Sequence, residues 1–136
     1  MILKLRSSIY LIFSFLFVFC SETETELDRY LRELNIKKDE SKIYLLIPQN
    51  QCAGCFFYDG SVFNDSVNNR IVVINSHPKA QILNFKNIIL DKENIQRTLT
   101  FYTGTNLLIT ENNGQLSFIR VSDLKSQIDS IQKMSQ

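Results

Sequence analysis

The spacing of apolar residues changes from one stretch of the chain to the next, and each spacing predicts an element. In TETELDRYLRELN (Thr23 to Asn35), Leu27, Tyr30, Leu31 and Leu34 fall at i, i+3, i+4 and i+7, so a helix with one buried stripe is expected. Thr23 and Glu26 have the spacing of a capping box at its start. The polar connection IKKDESK leads into IYLLI (Ile43 to Ile47), an unbroken apolar run of the kind a central strand needs when both its faces are covered. Phe56, Gly60, Phe63 and Val67 then keep a helical spacing. Gly54 and Gly60 weaken that helix, so an interrupted one is expected. RIVVIN (Arg70 to Asn75) predicts a second buried strand.

SHPKAQILNFKN predicts a turn at His77-Pro78 followed by one or two helical turns, IILD (Ile88 to Asp91) a short strand, and KENIQRTLTFY a helix of modest length. LLITENNGQLSFIRV holds two strand-like runs joined through Asn113-Gly114. Both residues tolerate positive φ, which is the signature of a tight hairpin. Ser122 caps DLKSQIDSIQKM, where Leu124, Ile128 and Ile131 share a stripe. Strand-helix-strand segments imply parallel strands with right-handed crossovers, and the hairpin adds antiparallel ones. The expected fold class is α/β, a mixed four- or five-stranded sheet with helices on both faces.

Composition narrows the function. At 136 residues with 44% hydrophobic content the chain has room for one packed domain. Its net charge of +1 comes from interspersed acids and bases, so no basic stripe for nucleic acid is expected. Lys4 and Arg6 precede the compact apolar run IYLIFSFLFVFC (Ile9 to Cys20), which suits a signal peptide better than a membrane span of about 20 residues. Cys20, closing that run before the polar SETETE, resembles the lipidated cysteine of a bacterial lipoprotein. Ordinary cleavage and an uncleaved anchor are the other readings; each exports the domain. The expected organisation is a signal peptide over 1–19, Cys20 as mature N-terminus, a helix and connection over 20–41, and the main domain over 42–136.

Export allows disulfides to persist, and with Cys20 lipidated the remaining thiols are Cys52 and Cys55, spaced CxxC in IPQNQCAGCFFYDG. The pair reads as a redox centre, a structural staple or half of a metal site. A loop this short closes little chain entropy, so a staple would stabilise weakly. Zinc would need further ligands, and the chain offers His77 and Cys20 alone, so no metal is expected. Phe56 stands where c-type haem attachment requires histidine.

With the CxxC directly after the first central strand, the order of elements resembles the thioredoxin fold, closest to the exported thioredoxin-like proteins of the TlpA and ResA kind. KIYLLIPQNQCAGC is similar to their strand-to-active-site segment, and IILDKENIQRTLTFYTGTNLLITENNGQLSFI to their run of strand, acidic turn, helix, "GTP", strand, turn and strand. The resemblance implies a thioredoxin-like domain that exchanges thiols and disulfides with proteins or peptides, supplied by an electron-donor partner and without a bound cofactor. Cys52, at a helix N-terminus that favours its thiolate, would attack, and Cys55 would resolve. Gln51 stands where the family carries an aromatic residue. Asn106, after Gly104 and Thr105, stands where it carries a cis-proline; a non-proline cis bond costs ~3–4 kcal/mol, so a trans Thr105–Asn106 bond is expected.

His77, ending the second strand on the same sheet edge as Cys52, is a candidate proton acceptor, the alternative being a solvated Ser-His-Pro turn. Phe56, Phe57, Tyr58, Phe101 and Tyr102 are candidates for a peptide groove, or for burial in the core. The rival function is a non-catalytic binding or assembly lipoprotein that keeps Cys52–Cys55 as a structural disulfide.

Overall fold

Ile43–Ile47 is apolar at every position and buried at every position, so strand β1 can exist only between two covering layers. A computed structural model of the protein, whose described residues are 24–50, 57–121 and 127, supplies both layers. In chain order the elements are α1 (Glu26–Glu33), β1, β2 (Phe57–Asp59), a 3₁₀ turn (Gly60–Val62), α2 (Asp65–Arg70), β3 (Ile71–Asn75), β4 (Gln81–Leu83), β5 (Asn87–Leu90), a second 3₁₀ turn (Ile95–Thr98), β6 (Leu107–Asn112) and β7 (Gln115–Arg120). The main sheet has five strands in the order β5-β3-β1-β6-β7, and β2 pairs with β4 in a separate two-stranded ribbon. β3 is parallel to both β1 and β5, whereas β6 is antiparallel to both β1 and β7. The fold is thus mixed α/β with a five-stranded mixed sheet and few helices.

Alternation along the strands divides the core. Ile43, Leu45, Ile47, Ile71 and Val73 face Tyr58, Phe63, Val67 and Phe85, which come from the β2–β4 ribbon, α2 and the segments between them. Tyr44, Leu46, Val72 and Ile74 face Leu27, Tyr30 and Leu31 of α1, with Leu99 beside them. The two helices therefore cover opposite faces of the sheet. At eight residues α1 is too short to persist alone; each buried Leu on its stripe contributes about 1.5–3 kcal/mol of apolar burial. The hairpin forms where expected, with Asn113 at φ 51° and Gly114 at φ 77°.

Four expectations need correction. The capping box is Thr25 with Asp28, not Thr23 with Glu26: Thr25 Oγ1 accepts from Asp28 N–H, and Asp28 Oδ2 accepts from Thr25 N–H. Glu26 is drawn away by a tertiary contact, its Oε2 accepting from the N–H (3.1 Å) and hydroxyl (2.6 Å) of Thr100. No continuous helix runs through Phe63 and Val67 from the cysteines. The shared spacing arose because a strand, a 3₁₀ turn and a short helix all turn one side to the same core. Asn64 starts that helix, its Oδ1 accepting from Val67 N–H at 2.9 Å. The segment after His77-Pro78 is strand β4 rather than helical turns, because Gln81–Leu83 pairs with Phe57–Asp59. KENIQRTLTFY holds a 3₁₀ turn instead of a helix, since Asn94 sits at φ 52° and Asp91 takes the N–H groups of Ile95 and Gln96. Of the helix expected after Ser122, Gln127 alone is described, and it is helical. The targeting segment, with Cys20, lies outside the described residues; among those described, no helix is long and apolar enough to cross a membrane.

Lys38 joins three parts of the fold. Its Nζ lies 2.7 Å from Asp28 Oδ1 on α1 and 2.7 Å from Glu111 Oε2 on β6. Burial would raise the Asp28 pKa, but hydrogen bonds from Lys38 and Thr25 outweigh it and hold the carboxyl below its ordinary value. Burial likewise opposes the Lys38 charge, yet its bonds to Asp28 and Glu111 raise the ammonium pKa. The Asp28 contribution is therefore present above the unfolded carboxyl pKa of about 3.9 and is lost as pH falls through the depressed folded value. The Lys38 contribution is present below about 10.4 and is lost as pH rises through the raised value. Lys38→Met should cost about 2–3 kcal/mol at neutral pH, since it strands Glu111, and the loss should shrink in acid. Urea midpoints from pH 7 to pH 2 measure it; a pH-independent difference would contradict the pairing.

Gly60 gives a second test of the layer above the sheet. A Cβ there would stand 2.5 Å from Asn84 O and 2.8 Å from Asn84 C, both backbone atoms with little room to move. Gly60→Ala should lose about 1–3 kcal/mol in urea unfolding, and a neutral result would mean that β2 and β4 do not approach as described.

Candidate functional site

Parallel strands that stay in register end together, and here Ile47 pairs with Asn75, which pairs with Leu90. The chain leaves these ends as Pro48-Gln49, running toward Cys52, as Ser76-His77, and as Asp91. Because β6 is antiparallel to β1, with Leu107 opposite Leu46, its start reaches the same edge, preceded by Asn106. Ligands of open α/β sheets bind at this carboxyl edge, where the loops diverge. Four segments carrying most of the candidate side chains therefore converge without any of them being close in sequence.

Asp91 organises the edge. It is fully buried, and four donors fill its carboxylate: Tyr30 Oη (3.1 Å) and Ser76 Oγ (3.0 Å) to Oδ2, Gln96 N–H (3.0 Å) also to Oδ2, and Ile95 N–H (2.9 Å) to Oδ1. Burial of a bare carboxylate costs several kcal/mol, so donors from three separate elements are held in place by a single charge. Burial, together with the Asp91 charge and hydrogen bond, pushes the Tyr30 hydroxyl far above its ordinary range, and it stays a donor. Gln96 extends the network: its Nε2 donates to Ile47 O at 3.1 Å and to Ser76 Oγ. Asn94 Nδ2 donates to Gln49 Oε1 at 2.9 Å. The turn after β5 thus grips the segment that leaves β1 just ahead of the cysteines.

His77 is buried and closes its own turn. Its N–H donates to Asn75 Oδ1 (2.9 Å), its carbonyl accepts from Asn75 Nδ2 (3.0 Å), and its Nδ1 accepts from Lys79 N–H (3.1 Å). With Nδ1 an acceptor, the ring proton of this tautomer is on Nε2, which leaves the imidazole a donor at that atom. Asn106 is buried as well; its Nδ2 donates to the hydroxyl of Tyr58, and its carbonyl accepts from Val121 N–H at 2.9 Å. No peptide bond among the described residues is cis, so Thr105–Asn106 is trans. Thr105 is exposed, with its hydroxyl 2.7 Å from that of Thr103.

Cys52 and Cys55 lie outside the described residues, as do Gln51 and Phe56. The other aromatic candidates do not share one groove. Tyr58 packs on one side of the sheet, while Phe101 and Tyr102 pack on the other, where Phe101 stacks at 4.8 Å on Phe118. The residues that pattern reading missed are the buried amides Asn75, Asn94 and Gln96 and the carboxylate Asp91. Asp91 had one legible signal, an acid directly ahead of a turn at the end of an apolar run; the amides had none.

A cleft of about 270 Å³ opens at this edge between Gln49, Ser76, His77, Pro78 and Leu90. Among the described residues no group of histidine, cysteine and carboxylate side chains could hold a metal ion. The arrangement is a polar network at the end of β1, the strand that precedes the CxxC in sequence. No family model, curated protein or solved structure matches the chain.

Asp91→Ala should destabilise the protein by about 3–5 kcal/mol, because it leaves four buried donors facing an empty space. Tyr30→Phe should cost less, about 1.5–3 kcal/mol, since three donors remain. Equilibrium urea unfolding of both variants checks the order. A loss under about 0.5 kcal/mol for Asp91→Ala, the size expected at an ordinary surface position, would remove Asp91 from the centre of the edge.

Proposed function

We propose that the protein is an exported thiol–disulfide exchange protein with a thioredoxin-like domain, held at a membrane surface by lipid on Cys20. One observation supports the reading: in sequence the CxxC comes five residues after Ile47, the end of the central strand β1, and the end of that strand shares a sheet edge with His77 and Asn106. A central strand with a parallel neighbour on one side and an antiparallel hairpin on the other is the sheet that a thioredoxin-like fold requires.

In this reading the two thiols act unequally: the helix expected to run on from Cys52 has given way to strand β2 by Phe57–Asp59, and the roles of the pair rest on the resemblance. The Cys52 thiolate attacks one sulfur of a client disulfide, the client S–S bond breaks, and a client thiolate leaves as the mixed disulfide forms. The Cys55 thiolate then attacks Cys52 Sγ and expels the second client thiolate. Two electrons have passed to the client, and Cys52–Cys55 has become a disulfide. A dithiol donor protein restores the pair by the reverse exchange, and no bound cofactor takes part. Ala53 and Gly54 add no charge between the thiols.

A second reading, a binding lipoprotein that keeps the disulfide without turnover, is favoured by Asn106. The amide that replaces the family's proline is occupied by Tyr58, and its peptide bond is trans. Trapping separates the two. Cys55→Ser should accumulate mixed disulfides with client proteins, because attack proceeds without resolution, while Cys52→Ser should accumulate almost none. Equal, negligible trapping by both variants would favour the binding reading.

Lipid attachment has its own test. Cys20→Ser should release the chain from membranes or block its processing. An intact Met1 N-terminus found by mass spectrometry would refute the lipoprotein assignment.

A further inference from the structure

β5 is the outermost strand of the five-stranded sheet, and its outer side pairs with no strand among the described residues. The N–H of Asp91 donates to Asn75 O, so in this parallel ladder residues 89 and 91 turn their backbone groups toward β3. Ile88 and Leu90 alternate with them and aim both N–H and C=O outward. Their side chains stand on the face of Val73 and Asn75, where the β2–β4 layer stops short, and they are 42% and 57% exposed. Edge strands are blunted by proline, inward charge, bulges, lysines or shortness; Asn87–Leu90 carries no proline, charge or bulge, and is guarded by its four-residue length and by the lysines beyond its ends. Two apolar side chains and four backbone groups with no partner among the described residues thus form one ledge.

The charges around the ledge favour one kind of occupant. Lys86 and Lys92 bracket the strand and are both exposed. Lys86 lies 3.1 Å from Asp65, and at 46% and 91% side-chain exposure that pair is weak enough for an incoming carboxylate to compete for the ammonium. If a second copy paired antiparallel so that Ile88 met Leu90, Lys86 of each chain would oppose Lys92 of the other, twice placing like charges face to face. A strand with acidic flanks meets no such repulsion. Leu90 and Lys92 also line the 270 Å³ cleft beside His77, so a chain laid along β5 continues into the candidate site.

We infer that the free edge of β5 is a docking strand for an extended segment of a partner polypeptide, with apolar residues at alternate positions and carboxylates at its ends. Backbone hydrogen bonds to Ile88 and Leu90 provide affinity, and the lysines select the flanks. The inference stands apart from the thiol chemistry. It is tested on the full-length chain carrying Cys52→Ser and Cys55→Ser in detergent micelles, with acetyl-Glu-Thr-Val-Thr-Val-Thr-Glu-amide as probe, whose valines oppose Ile88 and Leu90 while its glutamates oppose Lys86 and Lys92. Saturating peptide should slow amide hydrogen exchange at Ile88 and Leu90 by about tenfold or more. The lysine-flanked counterpart should bind about tenfold more weakly or not at all. Leu90→Glu should abolish the effect, and the milder Ile88→Thr should weaken it without disturbing the fold. Equal binding of both peptides, or protection absent at Ile88 and Leu90, would overturn the proposal. So would a concentration-dependent dimer that Leu90→Glu dissolves, which would assign the edge to a second copy.

Discussion

A carboxylate removed from water must have its lone pairs filled by the protein, and Asp91 obtains its four donors from α1, from the turn after β3 and from the turn that follows β5. That requirement fixes the relative positions of elements that local preference would leave free. α1 is too short to be stable alone, yet Tyr30 is tied both to the apolar core and to this charge. The 3₁₀ turn at Ile95–Thr98 exists in this form because Asp91 takes two of its N–H groups, and Gln96, once placed, reaches the last carbonyl of β1. The same constraint that orders the fold therefore orders the edge from which the CxxC departs.

The end of β1 is fixed at that edge. Gln96 holds Ile47, and Asn94 holds Gln49, so the exit path of β1 is braced by side chains rather than by further ladder bonds. Asn75 locks the His77 turn from the neighbouring strand. Asn106 approaches from the antiparallel side and is held by Tyr58. A platform stiffened in this way suits chemistry in which a small geometric error at the nucleophile is costly.

The parts of the fold legible in the sequence are those in which a single local pattern decides the outcome. IYLLI and IVVIN are the buried strands their patterns predict, with Arg70, expected in the second, ending α2 instead; Asn113-Gly114 is a tight turn, and Leu27, Tyr30 and Leu31 form one helical stripe. What escaped was decided by partners far along the chain. Glu26 left its capping box for Thr100, 74 residues away. Phe57–Asp59 became a strand because Gln81–Leu83 lay beside it, and each is too short to announce itself by alternation. Asn75, Asn94 and Gln96 look like surface residues in sequence, and only the convergence of strand ends makes them a buried network. For the candidate site, Cys52, Cys55, His77 and Asn106 could be named from the sequence, whereas the scaffold around Asp91 could not.

The most direct test of the central claim is a redox titration of Cys52 and Cys55 on the full-length chain. The protein is equilibrated across dithiol–disulfide buffers and the free thiols are counted by alkylation and mass spectrometry. The account predicts one reversible two-electron transition involving both cysteines, in which the oxidised-to-reduced ratio of the pair changes tenfold for every ~30 mV of ambient potential. A pair that stays oxidised throughout, or two thiols that titrate independently without forming a disulfide, would contradict it.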